Sequence, residues 1–488
     1  GMQLAGRAGR ETGSDGGRRR HARSGPTHGE AAPDRLRTES RNSNRSRRSN
    51  PRLPMQYKGA RWLCAATGTE FDHGRPERRS RPLAAPARPA APAAAAGAAG
   101  TALANRFADG MEGGSITVID GRKEHLYQPG FTLIGAGLKT SDYSVSQTAD
   151  WLPNAATLIS EWVIEIDPVA QVISTTGGKK IPYDVLIVAM GARLVYEKIE
   201  GMSRDLIGKH GIGSVYAGAD YAEKTWKLLD QFTDTGGRGI FTRPATEMKC
   251  AGQPLKYTFI AEDYATRKNT RDRTEIDYFA HDETLFGVPI VHEKLRMLFN
   301  QRNIKTSYNH VMTAIDPGRQ VATFKTPNGL VEQEFDFTHV IPPMEAPGPI
   351  KDSDLAWKTG DWGEQGWVEA DPSTLRPPHY SNVFSVGDIA GVPKGKTAAS
   401  VKWQVPVVVD HVFADLEGRE STERFNGYTS CPLITKIGRA MLVEFDYNND
   451  LTPSFPGIIS PLEELWISWL MKEVALKATY NAMLRGRA

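Results

Sequence analysis

The chain has 488 residues and a formal net charge of +3, which is long enough for two or three domains. Residues 1–94 carry 20 Lys+Arg against 8 Asp+Glu, leaving 40 against 49 in the rest, so the body is mildly acidic and offers no nucleic-acid surface. Three cysteines (Cys64, Cys250, Cys431) exclude a disulfide scaffold, no CxxC pair or metal-ligand spacing is present, and no run of about 18 apolar residues spans a bilayer.

Residues 1–94 contain neither Val nor Ile and are rich in Arg, Ala, Gly, Pro and Ser. Such a stretch cannot bury enough apolar surface to offset its ordering entropy and is read as a disordered, low-complexity tail. Its composition is that of an over-extended or frame-shifted reading of GC-rich coding DNA. Next comes "AAGAAGTALANRFADGMEGGSITVID", a fingerprint, helix and strand in which Ala95 stands for the first glycine, followed by Gly97 and Gly100. The strand that should precede it reads "PLAAPARPAAPA", and Pro86, Pro89 and Pro92 cannot serve a central ladder.

The body then alternates regularly. "YDVLIVAMGA" reads as a strand covered on both faces, "YAEKTWKLLDQF" as an amphipathic helix, and "RGIFTRP" as a strand. "PLKYTFIAEDYATRK" and "VHEKLRMLFNQRN" read as helices, "FDFTHVIPP" as a strand, and "NVFSVGDIAG" as a strand-turn before a helix from Lys396. The fold class is α/β with two Rossmann-like domains, the first of them discontinuous, and a C-terminal membrane-interface segment.

Four features carry chemistry. The glycines Gly97 and Gly100 would let a pyrophosphate approach a helix N-terminus, and Asp120 would hold a ribose hydroxyl. In "VGDIAG", Gly387 and Asp388 suit the ribityl or phosphate part of FAD, although an ordinary Asp turn would read the same. Cys250 lies in a loop entering a helix, just after Lys249, and both features would lower its pKa. A buried structural cysteine is the alternative. In "SPLEELWISWLMKEVALK", Leu462, Leu465, Trp466, Trp469 and Leu470 fall on one helical face, with Lys472 and the glutamates elsewhere, for a bilayer interface or the protein's own core. His125, His210, His292 and His411 stand isolated and suit structural or surface roles.

The strings "HLYQPGFTLIGAGLK", "EKTWKLL", "MKCAGQPLK", "HVIPPM", "NVFSVGD", "GKTAASV", "GYTSCPL", "EFDY" and "NAMLRG" together resemble the sulfide:quinone oxidoreductases, especially the mitochondrial-type subgroup. The resemblance runs from about residue 95 to the C-terminus. It implies an FAD flavoenzyme of the pyridine nucleotide-disulfide oxidoreductase superfamily that oxidises sulfide to sulfane sulfur and reduces a membrane quinone. It divides the chain into an FAD-binding domain (95–205 and 345–425), a second Rossmann-like domain without an NAD fingerprint (206–344), and a quinone and membrane-interface region (426–488). Gly97, Gly100, Asp120, Gly387 and Asp388 would hold FAD, Lys396 would lie near the flavin, and Pro342, Pro343 and Met344 near the quinone passage. Cys250 matches the first redox cysteine.

The second redox cysteine is expected directly after the late Gly-Asp pair, where this chain has Ile389. Cys431, in "GYTSCPL", is a candidate secondary thiol. The expected enzyme therefore works through Cys250, with a thiol or further sulfide as sulfur acceptor, as a monotopic protein of a bacterial or mitochondrial inner membrane. The alternatives are an NADH:quinone oxidoreductase-like flavoenzyme, for which residues 236–262 lack the second Gly-rich loop, and a flavin-binding homologue that has lost sulfide oxidation.

Overall fold

A computed structural model describes residues Arg61–Ala65 and Ala96–Arg487, which belong to one compact unit. Two parallel five-stranded sheets organise it. The first has the order Val383–Ser385, Val185–Val188, Arg61–Ala65, Ser115–Ile119 and Ala156–Ile159. Leu186, Ile187 and Val188 are all buried, as a strand covered on both faces requires. Helices Ala98–Gly110 and Ala398–Glu417 pack on one another, with Phe107 and Phe413 meeting edge to face at 6.1 Å. The second helix begins two residues after Lys396, capped by Thr397, whose hydroxyl accepts the Ser400 N–H at 3.1 Å.

The central strand corrects the expectation of a wholly disordered N-terminal fifth. Arg61–Ala65 pairs on one side with Ser115–Ile119 and on the other with Val185–Val188. Its two ladders satisfy the backbone, the neighbours contribute the β-branched residues, and Leu63 is buried. Neighbouring strands thus replace the missing Val/Ile content. The rest of residues 1–94, with Pro86, Pro89 and Pro92, lies outside the described residues, as do Ala95 and the side chain of Cys64.

The second sheet has the order Ile212–Gly213, Phe337–His339, Gly237–Thr242, Thr274–Phe279 and Lys305–Ser307. Its crossover helices are Ala219–Thr235, Gln253–Arg267 and Pro289–Gln301. Fully buried aromatics fill the space between, among them Phe241, Phe259, Tyr278 and Phe337. Antiparallel meanders, Val163–Asp167 with Val172–Thr175 and Lys180–Pro182, and Val311–Asp316 with Val321–Thr326 and Gly329–Glu334, accompany the two sheets.

After the first sheet closes, the hairpin Thr429–Lys436 and Arg439–Phe445 lies against helix Gln253–Arg267. The expected C-terminal apolar stripe is broken up. Leu462 and Leu465 precede the helix, and Leu465 exchanges backbone hydrogen bonds with Ala440 at 3.2 and 2.9 Å. The α-helical part, Trp466–Leu470, gives way to a π-helical turn, Met471–Ala475, before Leu476–Leu484. The change of winding buries Trp469 and Lys472 and leaves Trp466 and Ile467 exposed. Among the described residues no helix is long and apolar enough to cross a membrane.

Candidate active site

At the first sheet, Gly97 caps helix Ala98–Gly110 in extended conformation, with φ −71° and ψ −173°. A Cβ at Gly97 would meet nothing within 4 Å. Asp120 follows strand Ser115–Ile119 and is buried; one carboxylate oxygen accepts the Ala96 N–H at 2.5 Å and the other the Arg122 N–H at 2.8 Å. Burial pushes its carboxyl above the usual range, opposed by the Arg122 guanidinium. The structure thus joins Gly97, Gly100 and Asp120 at one helix N-terminus, as expected. His125 is structural here: its ring nitrogens meet the Ala96 carbonyl at 3.0 Å and the Tyr480 hydroxyl at 2.7 Å, and burial lowers its pKa to about 4.

The late Gly-Asp pair forms a tight turn after strand Val383–Ser385. Gly387 has φ +81°, a conformation that favours glycine, and its N–H donates to Gln404 Oε1 at 2.8 Å. Asp388 lines a small, partly enclosed pocket together with Arg122, Gln128, Phe131, Tyr216 and Lys249. Gly191 and Gly218 widen it by having no side chain. Burial raises the Asp388 pKa, against the opposing charges of Lys249 and Lys396. Lys396 braces the turn: its ammonium donates to the carbonyls of Asp388 at 2.7 Å and Ala390 at 2.9 Å, above the Trp367 ring at 3.9 Å. Burial lowers its pKa to about 8.

Cys250 stands at the second sheet's loop, between strand Gly237–Thr242 and helix Gln253–Arg267. Its backbone is left-handed, with φ +51°, a sparsely populated state for a residue with a Cβ. Hydrogen bonds on every side hold it there. The Cys250 N–H donates to the Lys396 carbonyl at 3.0 Å, and its own carbonyl accepts from the Gln253 N–H at 2.8 Å and the Tyr216 hydroxyl at 3.1 Å.

The hairpin strand Thr429–Lys436 delivers Cys431 to this point, and both cysteines are free thiols. Cys431 is the first cause of the depressed Cys250 pKa, through a hydrogen bond between the two sulfurs; the Lys256 ammonium, 3.2 Å from Cys250 Sγ, is the next to lower it. Cys431 in turn is pushed up, first by that same hydrogen bond and then by burial. Of the two sulfurs, Cys250 is therefore the one favoured as thiolate and Cys431 the one favoured as thiol. Gly252 lets the sulfur approach, because a Cβ there would collide with Cys431 Sγ.

The other candidate residues fall as follows. Ile389, where a second redox cysteine was expected, is a fully buried core residue in the Gly387–Ile389 turn, and the thiol beside Cys250 is Cys431. Lys249 is not the direct partner of Cys250: its ammonium donates to Gln128 Oε1 at 2.8 Å, turned to the cavity, and the Cys250 charge is only a lesser influence on it; burial lowers its pKa to about 8. The cation at the thiolate is Lys256. Pro342, Pro343 and Met344 do not line the cavity; Met344 pairs with Leu194 and its N–H donates to Thr246 Oγ1 at 2.9 Å.

Lys472 was placed on the polar face of its helix, yet it is buried, donates to the Pro129 carbonyl at 2.8 Å, and has its pKa lowered to about 7, by burial and then by Lys256. A signal for Lys256 existed: it lies in the first turns of a helix whose side chains lean toward the N-terminus, and so toward Cys250. Lys472 had no such signal, because the wider winding of the π turn shifts it off the 3.6-residue period by which its face is read.

The pyridine nucleotide-disulphide oxidoreductase family matches residues 96–237. The mitochondrial sulfide:quinone oxidoreductase of Mus musculus is 34% identical over 388 residues, covering 79% of this chain and 84% of the mouse protein. The Dictyostelium discoideum enzyme of the same name is 32% identical over 374 residues, covering 77% of this chain and 81% of that one. The chain belongs to the sulfide:quinone oxidoreductase family. The X-ray structure of the Aquifex aeolicus sulfide:quinone oxidoreductase superposes with a TM-score of 0.67 at 21% identity, over 80% of this chain and 90% of that one. The shared fold is the two-dinucleotide-domain flavoprotein fold.

FAD, the cofactor of this family's fold, fits the residues present. The side-chain-free cradle at Gly97, the buried Asp120 carboxylate and the glycine-lined cavity at Asp388 are what a dinucleotide and its ring require.

Proposed function

We propose that this chain oxidises hydrosulfide on the Cys250–Cys431 pair and delivers two electrons, by way of FAD, to a membrane quinone. The observation that carries the reading is the meeting of Cys250 and Cys431 across Gly252, with the Lys256 ammonium 3.2 Å from Cys250 Sγ, at the loop where a pyridine nucleotide would need a phosphate cradle. FAD supplies a two-electron acceptor that quinone can reoxidise.

The residues perform the sulfur chemistry. With the pair joined as a disulfide, hydrosulfide attacks one sulfur. One S–S bond breaks, another forms, and the products are a persulfide on one cysteine and a thiolate on the other. An external thiolate, or a second hydrosulfide, attacks the outer sulfur and carries it away as sulfane sulfur. Both cysteines are then reduced. Re-forming their S–S bond releases two electrons and the proton held on Cys431, and quinone is the final acceptor. Lys256 favours the anionic form of Cys250 throughout. Pro342, Pro343 and Met344 are assigned to the quinone side, next to the Cys250 loop through Thr246.

The exposed Phe455, Ile458, Trp466 and Ile467 support monotopic docking on the quinone-bearing membrane.

Anaerobic absorbance spectra test the reading. Sulfide should bleach the flavin and decylubiquinone should restore it. Cys250→Ser and Cys431→Ser should each abolish bleaching by sulfide but not by dithionite. Bleaching by NADH and not by sulfide would overturn the proposal in favour of an NADH:quinone oxidoreductase.

A further inference from the structure

One side chain beside the thiols has no account in the fold. Gln253 opens helix Gln253–Arg267 and is 4% exposed, yet neither its Oε1 nor its Nε2 has a hydrogen-bond partner. Buried amides are almost always satisfied, because an unpaired one forfeits its bonds to water. Its position is specific. The Gln253 N–H is bonded to the Cys250 carbonyl, and the preceding residue, Gly252, is in contact with Cys431 Sγ. Lys256, three residues on and therefore on the same helical face, places its ammonium on Cys250 Sγ. The unused amide thus shares a face with the cation of the sulfur site, at the N-terminal end of a 15-residue helix, where anions are favoured.

We propose that Gln253 is a binding group for the small monoanionic sulfur species that enters the thiol pair, an inference that rests on the sulfide-oxidising reading of the same site. A carboxamide offers one donor and one acceptor side. Hydrosulfide and hydropersulfide present the complement, an anionic sulfur that accepts from Nε2–H and an S–H that donates to Oε1. A fully deprotonated oxyanion has no proton for Oε1 and satisfies only half of the group. Gln253 therefore selects for protonated sulfur monoanions and sets the concentration at which the site fills.

Two measurements on the FAD-loaded enzyme decide this. In anaerobic stopped flow, Gln253→Leu, close in volume but unable to hydrogen-bond, should raise the half-saturating sulfide for flavin reduction by about tenfold to a hundredfold, the cost of losing a hydrogen bond to a charged group. Independently of any turnover, sodium thiocyanate, a sulfur monoanion that engages only the Nε2–H side of the amide, should protect Cys250 of the dithionite-reduced enzyme from iodoacetamide, read by peptide mass spectrometry. Its half-protecting concentration should rise about tenfold in Gln253→Leu. Gln253→Asn, which keeps the amide, should lie between the two and replaces Gln253→Leu if that variant fails to fold. Equal half-protection in wild type and variant, or no protection in wild type, overturns the role of Gln253. A wild type whose flavin sulfide cannot reduce removes the proposed activity instead, and the thiocyanate measurement still decides whether Gln253 binds a sulfur anion.

Discussion

Replacing Lys256 by Met should raise the Cys250 pKa by a calculable amount. The ammonium lies 3.2 Å from the sulfur. At an effective dielectric constant of about 20, the bare Coulomb attraction at that distance is about 5 kcal/mol, which serves as a ceiling. Measured losses of a hydrogen bond to a charged group run at about 1.5–3 kcal/mol, or about 1–2 pKa units. The lower end applies, because Lys472 is held down to about 7 partly by Lys256. With Lys256 gone, Lys472 regains positive charge and partly replaces it. Cys431 also remains, and its hydrogen bond is the larger influence on Cys250. The Lys256→Met variant should therefore shift Cys250 up by about one unit, and Lys256→Met with Lys472→Met by more. The assay is the rate of iodoacetamide modification of Cys250 against pH, read by peptide mass spectrometry. Since only the thiolate reacts, the profile should move to higher pH, with about a tenfold slower rate on its rising limb and a shared plateau at high pH. Superimposable profiles for wild type and the double variant would refute the electrostatic account of this site.

Three further outcomes are expected. Gly97→Ala should lower the flavin-to-protein ratio after purification while leaving the melting temperature of the apoprotein unchanged, because the added Cβ meets nothing within 4 Å in the protein and a pyrophosphate only when FAD is bound. Ile389→Ala should cost about 2–5 kcal/mol in denaturant unfolding, as a fully buried core residue would; a loss near zero would contradict its assignment to packing. Trp466→Ser with Ile467→Ser should reduce co-sedimentation with phosphatidylcholine vesicles by at least about tenfold, given about 1.5–3 kcal/mol for each buried apolar side chain. Unchanged sedimentation would move the membrane-docking face elsewhere.

Much of the fold was legible because it is built from strong periodic signals. The run through Leu186–Val188, the helical spacing of Ala219–Thr235 and the β-branched Ser115–Ile119 each form the expected element. The central strand was not legible for a physical reason. A residue flanked by two ladders needs no β propensity of its own, so Arg61–Ala65 could carry a composition that reads as tail. The C-terminal stripe misled in the opposite way. Its spacing is real, but it presupposes an α-helix through Leu462–Leu470, whereas a backbone bridge at Leu465 and a π turn after Leu470 redistribute the residues.

The site shows a sharper division. Residues whose role depends on the local backbone, such as Gly97 at a helix start, Gly387 at positive φ and Cys250 in a loop, announce themselves in a short window. Cys431 cannot, since its role is created by a hairpin packing across helix Gln253–Arg267 from 181 residues further along the chain than Cys250. Within its own strand it is one buried residue among several. What distinguishes it is the glycine opposite: Gly252 leaves the gap that its sulfur fills. A larger residue at position 252 should therefore separate the two sulfurs with neither cysteine substituted. Gly252→Ala has an extended consequence that the cysteine substitutions lack, because both thiols and Lys256 remain. It should slow re-formation of the disulfide, and raise the Cys250 pKa by withdrawing the Cys431 hydrogen bond. If iodoacetamide profiles show Cys250 unmoved in that variant, the thiolate owes its stability to lysine alone, and the hydrogen bond between the sulfurs is not part of the machinery.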